Sequence, residues 1–228
     1  MEILCTICAR SGSKGIKNKN LLKLNDKTLI HIAIELAKKS KLFKKIIFSS
    51  DSNDYIKKAI KYGVDYSINR KISLSSDKAG KIDVIRDCLL YSERIYKKKF
   101  DVICDLDVTT PLKNLNDLKL AFKKFLIEKN DILFSVCESK KNPYFNMVEY
   151  RNNKYNLIKN SKFIRRQDTP TVYFINAGIY IWKRNALLHN NNLFSENNGI
   201  FVMPFQRSID IDSLEDYKLI KLLSKSKL

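Results

Sequence analysis

The stretch Ile3-Leu4-Cys5-Thr6-Ile7-Cys8 runs straight into Ala9-Arg10-Ser11-Gly12-Ser13-Lys14-Gly15, with Lys19-Asn20 shortly after. A short apolar run bounded by turn chemistry reads as a buried strand. The polar loop behind it carries Gly12 and Gly15. Residues 28–39 then repeat apolar side chains at helical spacing, at Leu29, Ile32, Ala33, Leu36 and Ala37. A strand, a basic glycine-bearing loop and a helix make the opening unit of a doubly wound α/β sheet, in which ligands sit beyond the carboxyl ends of strands.

The same rhythm continues. Residues 45–50 read as a second strand, and 52–62 as a helix started by Asp51 or Ser52 and ended by Gly63. Strands are expected at 64–68, 100–106 and 132–137, and helices at 81–98 and 115–128. This alternation predicts an α/β fold with a mostly parallel sheet flanked by helices. From Glu138 to about Tyr173 the rhythm breaks. Residues 145–150 and 154–158 look like a hairpin around Asn152-Asn153, so 139–173 is expected to be an arm inserted into a single domain spanning 1–228. Strands return at 175–182 and 200–203, and a helix at 213–223 closes the chain with Asp212 as its N-cap.

Composition narrows the function classes. Of the 228 residues 44% are hydrophobic, enough for a packed core and too many for a disordered chain. No apolar run approaches the roughly 18 residues that cross a bilayer, and Met1-Glu2-Ile3-Leu4 has no basic leader, so a cytoplasmic protein is expected. The charge is +19, from 43 basic and 24 acidic residues, but only nine of the basic ones are Arg. Lysine pairs are scattered along the chain, which reads as a solvated basic surface. No nucleic-acid partner is expected, and polyanionic small molecules are favoured. The five cysteines are an odd number and read as reduced thiols. Cys5 and Cys8, three apart on a strand, point to opposite faces and cannot share an ion. Two histidines leave little for a His-driven triad.

Three groups of residues carry chemistry. Arg10 to Gly15 lacks Gly-Lys-Ser/Thr and is not G-x-G-x-x-G, so spacing leaves open a phosphate loop or an ordinary basic turn. Asp105-Leu106-Asp107 at a strand end has the form of a glycosyltransferase metal motif. Asp210 and Asp212, two apart, face one side of an extended segment; they suit a hard cation, or else a helix cap and a surface charge.

Taken in order, several blocks resemble the acylneuraminate cytidylyltransferases, the CMP-nonulosonic acid synthetases. They are Ala9 to Gly15 with Lys19-Asn20, Arg70 before Leu74-Ser75-Ser76-Asp77-Lys78-Ala79, Thr109-Thr110-Pro111-Leu112, Arg166-Gln167, Asn176-Ala177-Gly178-Ile179-Tyr180 and Ile209-Asp210-Ile211-Asp212. The resemblance spans nearly the whole chain. Asp105-Leu106-Asp107 and Asn142-Pro143-Tyr144-Phe145-Asn146 look most like the branch acting on diacetyllegionaminic acid.

The resemblance implies a Rossmann-like nucleotidyltransferase fold with a small β-rich dimerisation arm. The implied reaction is attack by the anomeric hydroxyl of an acidic nine-carbon sugar on the α-phosphorus of CTP, with Mg²⁺ as cofactor. Arg10, Lys19 and Asp212 are expected to be catalytic. Ser13, Lys14, Gly15 and Asn20 would hold phosphates and ribose; Arg70, Asp77 and Ala79 would border the cytosine. Lys81 stands near a position where the family commonly has a hydroxyl, and is expected at a phosphate. Asp210 and Asp212 would hold the metal, and Asp107, Thr109, Arg166, Gln167 and Asn176 the sugar, with helping to hold the metal the alternative role for Asp107. Asp107 replaces a frequent Gln, and Phe174 a second Arg found in some members. The resemblance also implies a homodimer whose arm completes the partner's sugar site. A glycosyltransferase using Asp105 and Asp107 is the competing reading, distinguished by release of a nucleoside diphosphate in place of pyrophosphate.

Overall fold

The structure is a computed structural model that describes residues 1–12, 15–76, 79–194 and 196–225. Ser13, Lys14 and Asp77, expected at the nucleotide, lie outside the described residues. In chain order the elements are β1 (Ile3–Cys8), β2 (Lys23–Leu24), β3 (Lys27–Thr28), α1 (Leu29–Ser40), β4 (Lys45–Ser50), α2 (Asn53–Tyr62), β5 (Tyr66–Asn69) and α3 (Lys81–Tyr96). There follow β6 (Val102–Leu106), α4 (Leu115–Ile127), β7 (Ile132–Glu138), β8 (Val148–Arg151), β9 (Lys154–Leu157), β10 (Tyr173–Lys183), α5 (Arg184–His189), β11 (Asn198–Val202) and α6 (Leu214–Leu223).

Seven strands form one sheet in the order β11-β7-β10-β6-β1-β4-β5. Every neighbouring pair is parallel except those of β10, which is antiparallel to both β6 and β7. Apolar side chains of α1, α2, α4 and α6 pack on one face, and those of α3 and α5 on the other. Burial on both faces explains why β1, β4, β6 and β7 read as near-continuous apolar runs. Cys5 joins the first core and Cys8 the second, the separation expected of residues three apart on a strand.

Local signals set the helix ends. Thr28 caps α1, and Ser52 rather than Asp51 caps α2, accepting from the Tyr55 amide. Gly63 ends α2 at a φ of 89°, a left-handed conformation that glycine adopts without a side-chain clash. Asp212 is not the cap of α6. Ser213 fills that place in a capping box with Asp216, a motif of the order of 1 kcal/mol, which leaves the Asp212 side chain to other work.

Two features were not expected. α5 is too short to show a helical period. In β10 the register slips between Ile175 and Tyr180, a bulge in which Ala177 takes a φ of 56°. The β8–β9 hairpin forms its own two-stranded sheet, with Asn152 and Asn153 both at positive φ in the turn.

Candidate active site

The site lies past the carboxyl ends of β1 and β6. The loop after β1 is pinned at several points. The Ala9 amide donates to the Ser49 carbonyl at 3.0 Å, and the Ser11 amide and hydroxyl donate to the Asp51 carboxylate at 2.7 and 3.1 Å. Asn20 is buried and its amide donates to the Arg10 carbonyl at 3.0 Å. Gly15 runs so close to the 209–212 segment that an added Cβ would overlap the Asp212 carbonyl oxygen. That contact joins the first loop of the chain to the last acidic segment.

Arg10, Gly15, Lys19, Asn20, Asp107, Thr109 and Asp212 line a cavity of about 310 Å³. Arg10 and Asp107 also border a second cavity of about 280 Å³ with Arg70, Ala79 and Lys81. The shared residues, Cys8 among them, make these two compartments of one cleft. Arg70 is buried, its guanidinium donating to the Ser49 carbonyl at 2.9 Å. Arg166 and Gln167 line a different cavity of about 280 Å³, with Asn142 and Glu138, that shares no residue with the cleft. There the Asn142 amide donates to Thr169 and Pro170, tying the arm's first turn to the segment after Arg166. A larger cavity of about 560 Å³, against Pro111 and Leu112, is also separate; its Arg207 is engaged by Asp117 at 2.8 and 2.9 Å.

Charge is closely balanced in the cleft. Lys19 Nζ lies 2.9 Å from Asp212 Oδ1, and the Asp212 side chain is 77% exposed. Lys81 Nζ lies 2.5 Å from Asp107 Oδ2, 3.2 Å from Asp105 Oδ2 and 4.6 Å from the centre of the Tyr180 ring. Burial alone would raise the Asp107 carboxyl, but the Lys81 ammonium and two donors from Thr109 hold it well below the usual carboxylate range. Burial opposes the Lys81 charge too, yet the two carboxylates push its proton affinity up. In this structure, then, the Lys81 charge is spent on carboxylates.

Asp210 differs from its neighbour. Burial, and then the negative charge of Asp107, push its carboxyl above the ordinary value, with Asp212 adding to the effect and Thr109 and Lys19 offsetting part of it. Its Oδ1 is buried without a hydrogen-bond partner. A buried carboxylate oxygen without a hydrogen-bond donor, beside an exposed carboxylate, is a pair of hard oxygen ligands that suits a divalent cation. Among the described residues no trio of His, Cys, Asp and Glu could hold a metal. Asp210 and Asp212 are the residues that could hold a hard cation such as Mg²⁺, which takes one or two carboxylates.

Two expectations need correction. Asn176, expected at the sugar, is only 3% exposed. Its Oδ1 accepts from Ser135 Oγ at 2.5 Å and from the Gly178 amide at 3.1 Å, and its Nδ2 donates to Ser208 Oγ at 2.9 Å. Both ends of the amide hold the β10 bulge. Asp105-Leu106-Asp107 is likewise no open pair. Asp105 lies within β6, fully buried and accepting from Thr6 Oγ1 at 2.7 Å, while Asp107 lies past the strand end. The competing glycosyltransferase reading loses its metal motif.

Sequence reasoning missed Lys113. It is 5% exposed, and its ammonium donates to the carbonyls of Asp107 and of Thr110, the latter at 2.9 Å. Burial pushes it down to about 8, with nearby carboxylates restoring part of the loss. Its only sequence signal is its place directly after Thr109-Thr110-Pro111-Leu112.

The family description "Cytidylyltransferase" matches residues 4–227. The chain belongs to the cytidylyltransferase family. This cytidylyltransferase is 46% identical over 226 residues to the "Post-translational flagellin modification protein B" of Campylobacter coli, covering 99% of the chain and 96% of that protein. It is 44% identical over 222 residues to the "CMP-N,N'-diacetyllegionaminic acid synthase" of Campylobacter jejuni subsp. jejuni, covering 97% of the chain and 94% of the relative. A CMP:2-keto-3-deoxy-manno-octonic acid synthetase solved in complex with CTP matches with a TM-score of 0.72 at 14% identity, each chain covered in full, a likeness of fold. The cytidylyltransferase is thus an enzyme of nucleotidyltransferase fold. Among its described residues no helix is long and apolar enough to cross a membrane.

Gly15 gives a direct check of the cleft. In Gly15→Ala the new methyl must displace the Asp212 backbone, so cytidylyl transfer should fall at least about tenfold while the folded core persists. Turnover measured beside a thermal melt tests this, and full activity would show that the contact can be relaxed without cost.

Proposed function

We propose that this cytidylyltransferase moves CMP from CTP to the anomeric hydroxyl of a nonulosonic acid, releasing pyrophosphate, with a diacetyllegionaminic-type sugar as acceptor. The observation that carries the reading is the convergence of Arg10, Lys19 and Asp212 on one cleft beyond β1, beside Asp107, with Asp210 near enough to Asp107, Asp212 and Lys19 to feel their charges. The 44% identity to a CMP-N,N'-diacetyllegionaminic acid synthase over nearly both lengths supports the choice of acceptor.

The sugar hydroxyl oxygen attacks the α-phosphorus and releases its proton to solvent, while the bond from the α-phosphorus to the oxygen bridging it to the β-phosphate breaks and pyrophosphate leaves. Such a displacement calls for charge neutralisation and alignment more than for covalent help. Arg10 and Lys19 meet the triphosphate; Gly15 and Asn20 shape the loop around phosphate and ribose; Arg70 and Ala79 border the base. Asp210 and Asp212 would hold Mg²⁺, whose chemistry is to neutralise the phosphate oxygens. Asp107 and Thr109 face the acceptor side of the cleft, where Asp107 accepts hydrogen bonds from sugar substituents. Lys81 supports Asp107 from the compartment it lines with Arg70 and Ala79, on the nucleotide side of the cleft.

Arg166, with its planar fork of donors, suits the acceptor's carboxylate, and Gln167 its hydroxyl or amide groups. Their cavity is separate from the cleft in one chain. The reading therefore includes a homodimer in which the arm of one protomer reaches the other's cleft. Exposed Val148, Tyr150, Tyr155 and Ile164 give that arm an apolar surface to bury.

Incubation with CTP, Mg²⁺ and a panel of legionaminic, sialic, pseudaminic and octulosonic acids, read as pyrophosphate, tests the reading. Fastest release is expected with the legionaminic acid, and release with none of the four defeats it. Asp212→Asn should lower turnover by roughly 100-fold or more in Mg²⁺ with the melting temperature little changed; near-parental turnover removes Asp212 from the metal site. Arg166→Ala should raise the KM for the acid sugar far more than that for CTP. A larger change for CTP would place Arg166 elsewhere.

A further inference from the structure

We infer that Lys113 is a positioning residue of the transfer site, whose buried ammonium holds the turn carrying Asp107 and Thr109 and, through it, the segment carrying Asp210 and Asp212. The inference rests on the function proposed above. It starts from an unusual placement. Lysine is almost never fully buried unless its charge is paired, because an ammonium loses its hydration there. Lys113 is buried, yet its hydrogen bonds go to two main-chain carbonyls, those of Asp107 and Thr110. Among the described residues no carboxylate accepts a hydrogen bond from it, although Asp105, Asp107 and Asp210 are near enough to favour its charge.

Those two carbonyls bracket one turn. Within it, Asp107 Oδ1 accepts from the Thr109 amide at 2.8 Å and the Thr109 hydroxyl at 2.6 Å, so the turn and the carboxylate are a single unit. The Thr109 carbonyl then accepts from the Ile211 amide at 2.9 Å. Ile211 is fully buried, and its chain neighbours are Asp210 and Asp212. An unbroken path of hydrogen bonds and backbone thus runs from the Lys113 ammonium to both acids. Thr110 is itself buried, so without the ammonium its carbonyl would have no water to turn to. The turn would have to move, and the acid pair with it. Displacements near 1 Å at a transfer site cost on the order of 100-fold in rate.

The test uses the full chain and Lys113→Met, which keeps the stem and removes the donors. Hydrogen exchange gives the first readout and does not depend on activity. Peptides covering 107–112 and 209–212 should exchange at least tenfold faster in the variant, with the strands of the main sheet unchanged. Pyrophosphate release gives the second. The expected kcat is 10- to 100-fold lower, the KM for CTP stays within threefold, and half-maximal rate needs several-fold more Mg²⁺. Unchanged exchange at 209–212 overturns the inference, as does a kcat within twofold of the parent or an equal change in the KM for CTP. If Lys113→Met does not fold, Lys113→Gln is judged on the same readouts; if neither folds, Lys113 serves stability and the inference fails. A parent that turns over no CTP defeats the proposed function instead, and the exchange readout still decides on Lys113.

Discussion

Asp107 is gripped from two sides by lysine ammonium groups, Lys81 on its carboxylate and Lys113 on its carbonyl. Its amide donates in turn to the Gly178 carbonyl at 3.2 Å. A side chain just past a strand end would ordinarily belong to a mobile loop. Here its backbone is tied to the buried Lys113 and Gly178, and its carboxylate to the half-buried Lys81 and Thr109. In a medium less polar than water each of these bonds is stronger, and each unpaired group more costly, so the arrangement tolerates few alternatives. The rest of the cleft is assembled around this point, because Thr109 hangs from the Asp107 carboxylate and Ile211 from Thr109.

The antiparallel strand supplies the other half of the constraint. β10 enters between β6 and β7, and its bulge would be costly without the Asn176 side chain, which joins Ser135 on β7 to Ser208 beyond β11. The bulge delivers the Gly178 carbonyl to Asp107 and the Ala177 carbonyl to Lys81 at 3.5 Å. Ala177 at positive φ is strained for a residue with a Cβ, and such strain persists where surrounding bonds over-determine it. A net charge of +19 coexists with a cleft in which Lys19 and Lys81 are both paired with carboxylates. On the proposed reading, the Lys19–Asp212 pair keeps the phosphate-facing cation and the metal-facing acid neutralised until triphosphate and Mg²⁺ arrive together.

Much of the fold was legible because each signal was local. The strand at 45–50 has the expected ends, and the helices at 29–40, 53–62 and 115–127 fall within a residue of them, since apolar periodicity and short polar caps act over a few residues. The Asn152-Asn153 turn was readable for the same reason. The direction of β10 was not: an apolar run looks the same whichever way the chain crosses the sheet. The capping residue of α6 was misread by one position, because Asp212 and Ser213 are both capable caps and only the bond from the Asp216 amide to Ser213 separates them.

By itself, the sequence determined an alternating α/β chain with a basic glycine-bearing loop after its first strand; its resemblance to the acylneuraminate cytidylyltransferases made Arg10, Lys19, Asn20, Asp107, Thr109 and Asp212 site candidates, and these do line one cavity. The tertiary structure alone decided which polar residues work inside the protein. Asn176 and Asp105 are bound to buried partners, Lys81 is committed to carboxylates, and Lys113, one lysine among many, lies under the turn that carries Asp107. The physical reason is that hydrogen-bond capacity is finite. Whether a side chain meets a ligand or a neighbour depends on groups brought close from distant parts of the chain, and no local pattern records them.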